Sequence, residues 1–166
     1  MPGEEGAPAF VRTCDSRVGF ARIAPTDGDL NLDNLRLYAA DQHSSVANRE
    51  VFARGRRQGG RWRAFKTLVL LNGSEATLSV LPHDRDAFLL AYDPSHVRNF
   101  AYARQDGQAE VRFVNCERPR PDLEFPGALL ARKPGCFHLQ AVSQDGTVLA
   151  SGVVNIAMGR GACRNE

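Results

Sequence analysis

At 166 residues the chain has the length of one domain and can bury a sizeable core without relying on covalent staples. A composition 43% apolar and 24% charged is ordinary for a globular protein, and no run of about 18 apolar residues reads as a membrane-spanning helix. The net charge of +2 implies no partner by itself; Lys66 and Lys133 are the only lysines among 21 basic residues, a bias expected of a GC-rich genome rather than of a nucleic-acid partner.

In chain order, residues 1–13 read as a flexible acidic, Gly/Pro-containing tail, and residues 14–166 as a single domain. Val18 to Ala24 is strand-like and is followed by an APTDG turn. Leu30, Leu32, Leu35 and Leu37 suit a strand with a bulge, with a short helix as the alternative. REVFARGRRQGGRWR, residues 49–63, reads as a basic glycine-containing loop. In FKTLVLLNGSEATLSVL, Asn72-Gly73 between two apolar runs predicts a hairpin. The same residues open an Asn72-Gly73-Ser74 glycosylation triplet, which reads here as the turn alone. Ala76, Leu78 and Val80 alternate with Glu75, Thr77 and Ser79, as in a strand with one buried face. Ala87 to Tyr92 is a further strand, ended by Asp93-Pro94. Ala101 to Arg104 and Glu110 to Asn115 flank Gln105-Asp106-Gly107 as a second predicted hairpin. Phe137 to Ser143 and Thr147 to Ala157 flank Gln144-Asp145-Gly146 as a third. Many short strands, turn signals at roughly ten-residue intervals and little helical periodicity predict an all-β fold. The expected form is an antiparallel β-sandwich, immunoglobulin-like or a partly open barrel, stapled by disulfides.

The cysteines are Cys14, Cys116, Cys136 and Cys163. None forms a C-x-x-C pair and the spacings match no zinc module, so disulfides in an oxidising compartment are expected. Between Cys116 and Cys136 the prolines Pro119, Pro121, Pro126 and Pro134 predict an extended crossing without ladder hydrogen bonds. A Cys116–Cys136 bridge closing that crossing, with Cys14–Cys163 as the second pair, is the expected connectivity out of three. The opening MPGEEGAPAF has neither a positive nor an apolar leader region. The expectation is an extracellular or outer-face domain whose leader or anchor is absent from this chain, with a cytoplasmic, reduced protein as the alternative.

From Arg61 onward, RWRAFK, ATLSV, LLAYDP, DGQAEVRFVNC, FPGALLARKPGCFHLQAV and NIAMGRGAC follow one another in an order that resembles an uncharacterised family of secreted or membrane-anchored actinobacterial proteins. The resemblance spans Arg61 to Cys163, with Cys14 as a weaker match, and departs from the family in lacking its leader and in having Pro126-Gly127 where paired glycines are the rule. It implies an envelope-exposed domain and no activity.

The residues themselves carry little chemistry. His43, His83, His96 and His138 are scattered over turns and strands. His83, Asp93 and His96 would sit at opposite ends of one strand about 20 Å long, so no metal site is expected, nor any cofactor. No serine or thiol sits on a strand-to-helix elbow and no phosphate loop is present, so no catalytic residue is assigned. The sharpest feature is the basic stretch Arg54, Arg56, Arg57, Arg61, Trp62, Arg63 and Lys66, with Phe65 beside it. It reads first as a solvated loop whose aromatics enter the core. It is next a contact for an anionic envelope polymer, a membrane surface or another protein, and least a nucleic-acid interface. The expectation is a non-enzymatic envelope module of binding or structural role. Its rivals are a hydrolase or metal-dependent domain using His83 or His96, and a nucleic-acid-binding module on residues 54–66.

Overall fold

The computed structural model describes residues 10–13, 23–57, 62–93, 102–115 and 123–163, without the side chains of residues 55–57. It is all-β and sandwich-like, as the alternating patterns predict, with the strands distributed over three hydrogen-bonded sheets. The largest sheet runs β1 (Phe10–Thr13), β8 (Glu110–Val114), β6 (Glu75–Val80), β11 (Gly135–Val142), β12 (Val148–Ile156). The second runs β4 (Arg63–Lys66), β10 (Ala128–Ala131), β7 (Phe88–Ala91), and the third β2 (Leu30–Leu32), β3 (Leu35–Leu37), β5 (Val69–Leu71), β9 (Leu123–Phe125). Neighbours are antiparallel throughout, except that β1 lies parallel to β8.

The sheets enclose one main core. β8 and β11 supply it from alternate positions: Val111 and Phe113, and Phe137, Leu139 and Ala141, are buried. Phe88 stacks on Phe137 with ring centroids 4.7 Å apart, and Phe113 lies 5.1 Å from Phe125 and edge-on to Tyr92 at 5.4 Å. Each such aromatic stabilises the fold by roughly 1.5–3 kcal/mol through burial alone. Close approach of β2 to β12 depends on Gly152, where a Cβ would lie 2.7 Å from Leu30 Cδ1 and 3.0 Å from Leu32 Cδ2. A smaller cluster of Trp62, Leu89 and Leu130 covers the other side of the second sheet.

Several predicted elements fold differently. Phe10–Thr13, expected in the tail, is the edge strand β1; Arg12 is 3% exposed and its Nη1 donates to the carbonyls of Tyr92 and Pro126, both at 2.6 Å. Those bonds and the pairing to β8 hold a segment whose composition looks tail-like. Asn72-Gly73 does not close a hairpin: β5 and β6 belong to different sheets, so the turn is an arch. Gly73 supplies the φ of +117° the arch needs, and Asn34 and Asn115 tie it down through Asn34 Nδ2 to Glu75 O and Asn115 Nδ2 to Gly73 O. The second hairpin also fails, because residues 104–106 form a 3-10 turn and β8 pairs with β6 instead. Leu30 to Leu37 is a tight hairpin turning at Asp33-Asn34, with Asp33 at φ 56°, rather than one bulged strand. The third hairpin, β11–β12, forms as predicted, with Gly146 at φ 86° and Thr147 N donating to Asp145 Oδ1 at 3.0 Å. Inside the proline-rich crossing, Leu123–Phe125 and Ala128–Ala131 are strands β9 and β10; Pro126 and Pro134 fall just outside them, where no ladder donor is missed.

Residues 49–57 of the expected basic loop form the helix α1 (Arg49–Arg57). Its preceding 3-10 turn is capped by Ser45 Oγ, which accepts from Ala47 N. Glu50 and Arg54 pair one turn apart at 3.2 Å, and Phe52 is buried against Phe65. The burial of Phe52 and the hydrogen bonds of Arg49 Nε to Ala157 O and of Arg63 Nε to Val51 O dock a short helix that its glycine and arginine content disguises.

Candidate metal-ligating site

At the end of β6 the chain leaves the sheet through Leu81 and makes a single 3-10 turn, Pro82–Asp84. Proline fits the first position of that turn, having no N–H to leave unpaired. Arg85 clamps the turn by donating from Nε to Val80 O at 2.8 Å. On the neighbouring strand β11, odd-numbered residues from Phe137 to Ala141 face the core, so His138 stands on the outer face, next to the turn. Leu81 N donates to His138 O at 3.1 Å, continuing the β6–β11 ladder by one bond. Asp84 then takes the place of a further strand residue: its Oδ2 accepts the His138 backbone N–H at 2.7 Å.

This arrangement brings three donor atoms together. His138 Nδ1 lies 2.9 Å from Asp84 Oδ2, His83 Nε2 lies 3.2 Å from His138 Nδ1, and His83 Nε2 lies 3.4 Å from Asp84 Oδ2. The His138 and Asp84 side chains are 23% and 13% exposed, whereas that of His83 is 62% exposed and forms the open side of the cluster. Two imidazoles and a carboxylate form a ligand set for a transition-metal ion, and among the described residues His83, Asp84 and His138 are placed to hold one. Without an ion, the His138–Asp84 pair can orient an imidazole and hold a proton at Nδ1. Among the described residues neither ring hydrogen-bonds a hydroxyl or a thiol, as an activated nucleophile would require.

From the sequence, His83 is expected at the opposite end of a strand from Asp93 and His96, with no metal site between them. His96 lies outside the described residues, and His83 meets Asp84 and His138 instead. The adjacent pair His83-Asp84 was visible as two donors; the third comes from His138, whose place depends on a strand pairing that no local signal announces. His43, the remaining histidine, is an interior residue, with Nε2 3.0 Å from Thr67 Oγ1 and 3.2 Å from Lys66 O.

The basic stretch is divided by the fold. Arg54 is exposed and paired with Glu50, and Lys66 is exposed. Arg63 is 9% exposed and donates from Nε to Val51 O at 2.9 Å, fastening β4 to α1. Trp62 and Phe65 are 5% and 6% exposed, so neither presents a face on which a base could stack. Arg56 and Arg57 belong to α1, with side chains outside the described set, and Arg61 lies outside the described residues.

The cysteines pair differently from the expected connectivity. Cys136 is bonded to Cys163, with Cα atoms 5.5 Å apart, which rules out both Cys116–Cys136 and Cys14–Cys163. The bridge forms because Cys136 lies on the outer face of β11 opposite Asn155, and the chain turns back after β12. Asn155 shapes that return, its Nδ2 donating to Gly159 O at 2.7 Å and its Oδ1 accepting from Met158 N at 3.0 Å. Cys14 and Cys116 lie outside the described residues.

Beside this bridge is a cleft of about 230 Å³, lined in part by Asp27, Asp29, Asp41, Leu30, Val153 and Cys163. Asp29 is engaged within the fold. Burial would raise its pKa, but hydrogen bonds from Ala39 N, from Thr26 and from Arg36 outweigh burial and hold it at about 2.

The fold and the site together define a disulfide-bridged, all-β, sandwich-like protein with a His-Asp-His cluster on the outer face of its largest sheet. No protein-family model, no curated protein and no solved structure matches the chain.

Proposed function

We propose that the protein is a non-enzymatic β-module that works outside the reducing cytosol, at or beyond the cell envelope, in a binding or structural role. The observation that carries this reading is the Cys136–Cys163 bridge. Such bridges persist where thiols are kept oxidised and are rare in the cytosol. The resemblance to secreted or membrane-anchored actinobacterial proteins points the same way. If the partner is an anionic envelope polymer or membrane surface, Arg54 and Lys66 are the described side chains of the basic stretch that are exposed to meet it, Arg63 being committed to Val51 O. A nucleic-acid role draws on the same charges but lacks exposed stacking rings, since Trp62 and Phe65 are buried.

The test is the thiol state of the protein in the cells that make it, with alkylation before lysis. No labelled cysteine, and a cross-linked peptide joining Cys136 to Cys163, is the expected result. Full labelling of all four cysteines in folded protein would put the chain in a reducing compartment and overturn the proposal.

A further inference from the structure

We infer that His83, Asp84 and His138 bind one divalent late first-row transition ion, of the Zn²⁺ or Cu²⁺ class, at the surface of the largest sheet. The distances support it first. An ion about 2.0–2.1 Å from each of three N or O donors separates them by about 2.9 Å in octahedral and about 3.4 Å in tetrahedral geometry. The three separations here, 2.9, 3.2 and 3.4 Å, span that interval.

Proton placement supports it independently. If His138 Nδ1 and His83 Nε2 both carry hydrogens toward Asp84, two N–H groups face each other 3.2 Å apart. If His138 Nδ1 is bare, its lone pair faces the Asp84 carboxylate at 2.9 Å. If only His83 Nε2 is bare, its lone pair faces the same carboxylate at 3.4 Å. With Asp84 ionised, each of these assignments leaves one contact of the triangle unfavourable. A cation at its centre makes all three contacts attractive at once.

The cluster is also organised in advance. His138 is fixed on β11, and the His138 backbone N–H holds Asp84 Oδ2 in the manner of an outer partner of a metal ligand. The turn carrying His83 and Asp84 is clamped by Arg85. Two imidazole nitrogens and a single carboxylate suit Zn²⁺ and Cu²⁺, which the order of divalent affinities also favours over earlier ions, whereas Ca²⁺ and Mg²⁺ need oxygen ligands. The exposure of His83 leaves the remaining coordination positions open to water or to a ligand from solution.

The experiment is titration of chelator-stripped, full-length protein with Zn²⁺ and with Cu²⁺ by calorimetry. Nitrogen hyperfine structure in the Cu²⁺ electron paramagnetic resonance spectrum serves as the structural readout. One equivalent is expected to bind with a Kd of about 10 μM or tighter. Two imidazole nitrogens should appear in the spectrum, and one should be lost in His83→Ala. That variant removes a mostly exposed ring, so its melting temperature in the absence of metal should match the parent, while its affinity falls by more than about tenfold. His138→Gln should lose the second nitrogen. Absence of saturable binding of either ion, affinity unchanged in both variants, or equal affinity for Ca²⁺ would each overturn the assignment.

Discussion

His43 shows how one side chain links packing to pH. Its ring lies edge-on to Phe65 with centroids 5.3 Å apart, and Nε2 faces Lys66 O at 3.2 Å and Thr67 Oγ1 at 3.0 Å. A carbonyl only accepts, and the Thr67 hydroxyl already donates to Phe65 O at 3.0 Å, so His43 Nε2 carries the proton of a neutral ring. Burial lowers the His43 pKa, and the Lys66 carbonyl offsets this only in part. The unfolded chain, with a histidine pKa of about 6.5, then binds a proton that the folded chain resists. Stability from this group is fully present above that pH and is lost as pH falls below it toward the lowered folded value. The slope contributed is at most about 1.4 kcal/mol per pH unit. Urea unfolding between about pH 8 and pH 5 should show this loss. In His43→Asn the slope should be shallower by the His43 share. Parallel curves for the two proteins would show that His43 titrates equally in both states.

Among the elements, the edge strand β1 has the most to say about covalent structure. Its parallel register sets Thr13 opposite Val114, so Cys14 follows β1 by one residue and Cys116 follows β8 by two. With Cys136 and Cys163 bonded to each other, Cys14 and Cys116 are the pair left in the sequence. Proteolysis of the unreduced protein should therefore release a peptide joining Cys14 to Cys116. Two alkylatable thiols at those positions in the otherwise bridged protein would refute this pairing. The sequence reading joined Cys116 to Cys136 because it saw two cysteines flanking a proline-rich crossing. It could not see that the crossing contains β9 and β10, which route the chain through two other sheets before it returns to β11.

Across the whole molecule, strands were legible wherever alternation is strict, as in β6, β8 and β11. Partners were legible only where turn chemistry and sheet agree, as at Ser143 to Thr147. Asn72-Gly73 satisfies the local demands of a hairpin and an arch alike. What selects the arch is that Val69, Leu70 and Leu71 are all buried, with no wet face to match that of β6. The cluster was not legible for the same reason: His83 and Asp84 are neighbours in the sequence, but only the β6–β11 register brings His138 to them. Stability at this scale should depend on the Cys136–Cys163 bridge, which spans a sequence separation of 27 residues. The chain-entropy model gives about 3.5 kcal/mol for a loop of that size. Double replacement by serine should lower the unfolding free energy in urea by that order and leave the far-ultraviolet spectrum all-β. A loss below about 1 kcal/mol would mean that the C-terminal return holds itself in place by bonds such as those of Asn155.

The parallel pairing of β1 with β8 also orders events in time. A chain made or exported from its N-terminus presents Phe10–Thr13 first, yet these residues have no strand to join until Val111 to Val114 have emerged. The buried Arg12 meets the same delay, since one of its carbonyl acceptors belongs to Pro126. The earliest described strand thus waits for β8, whose other neighbour β6 has by then been made, and its pairing closes that edge of the sheet.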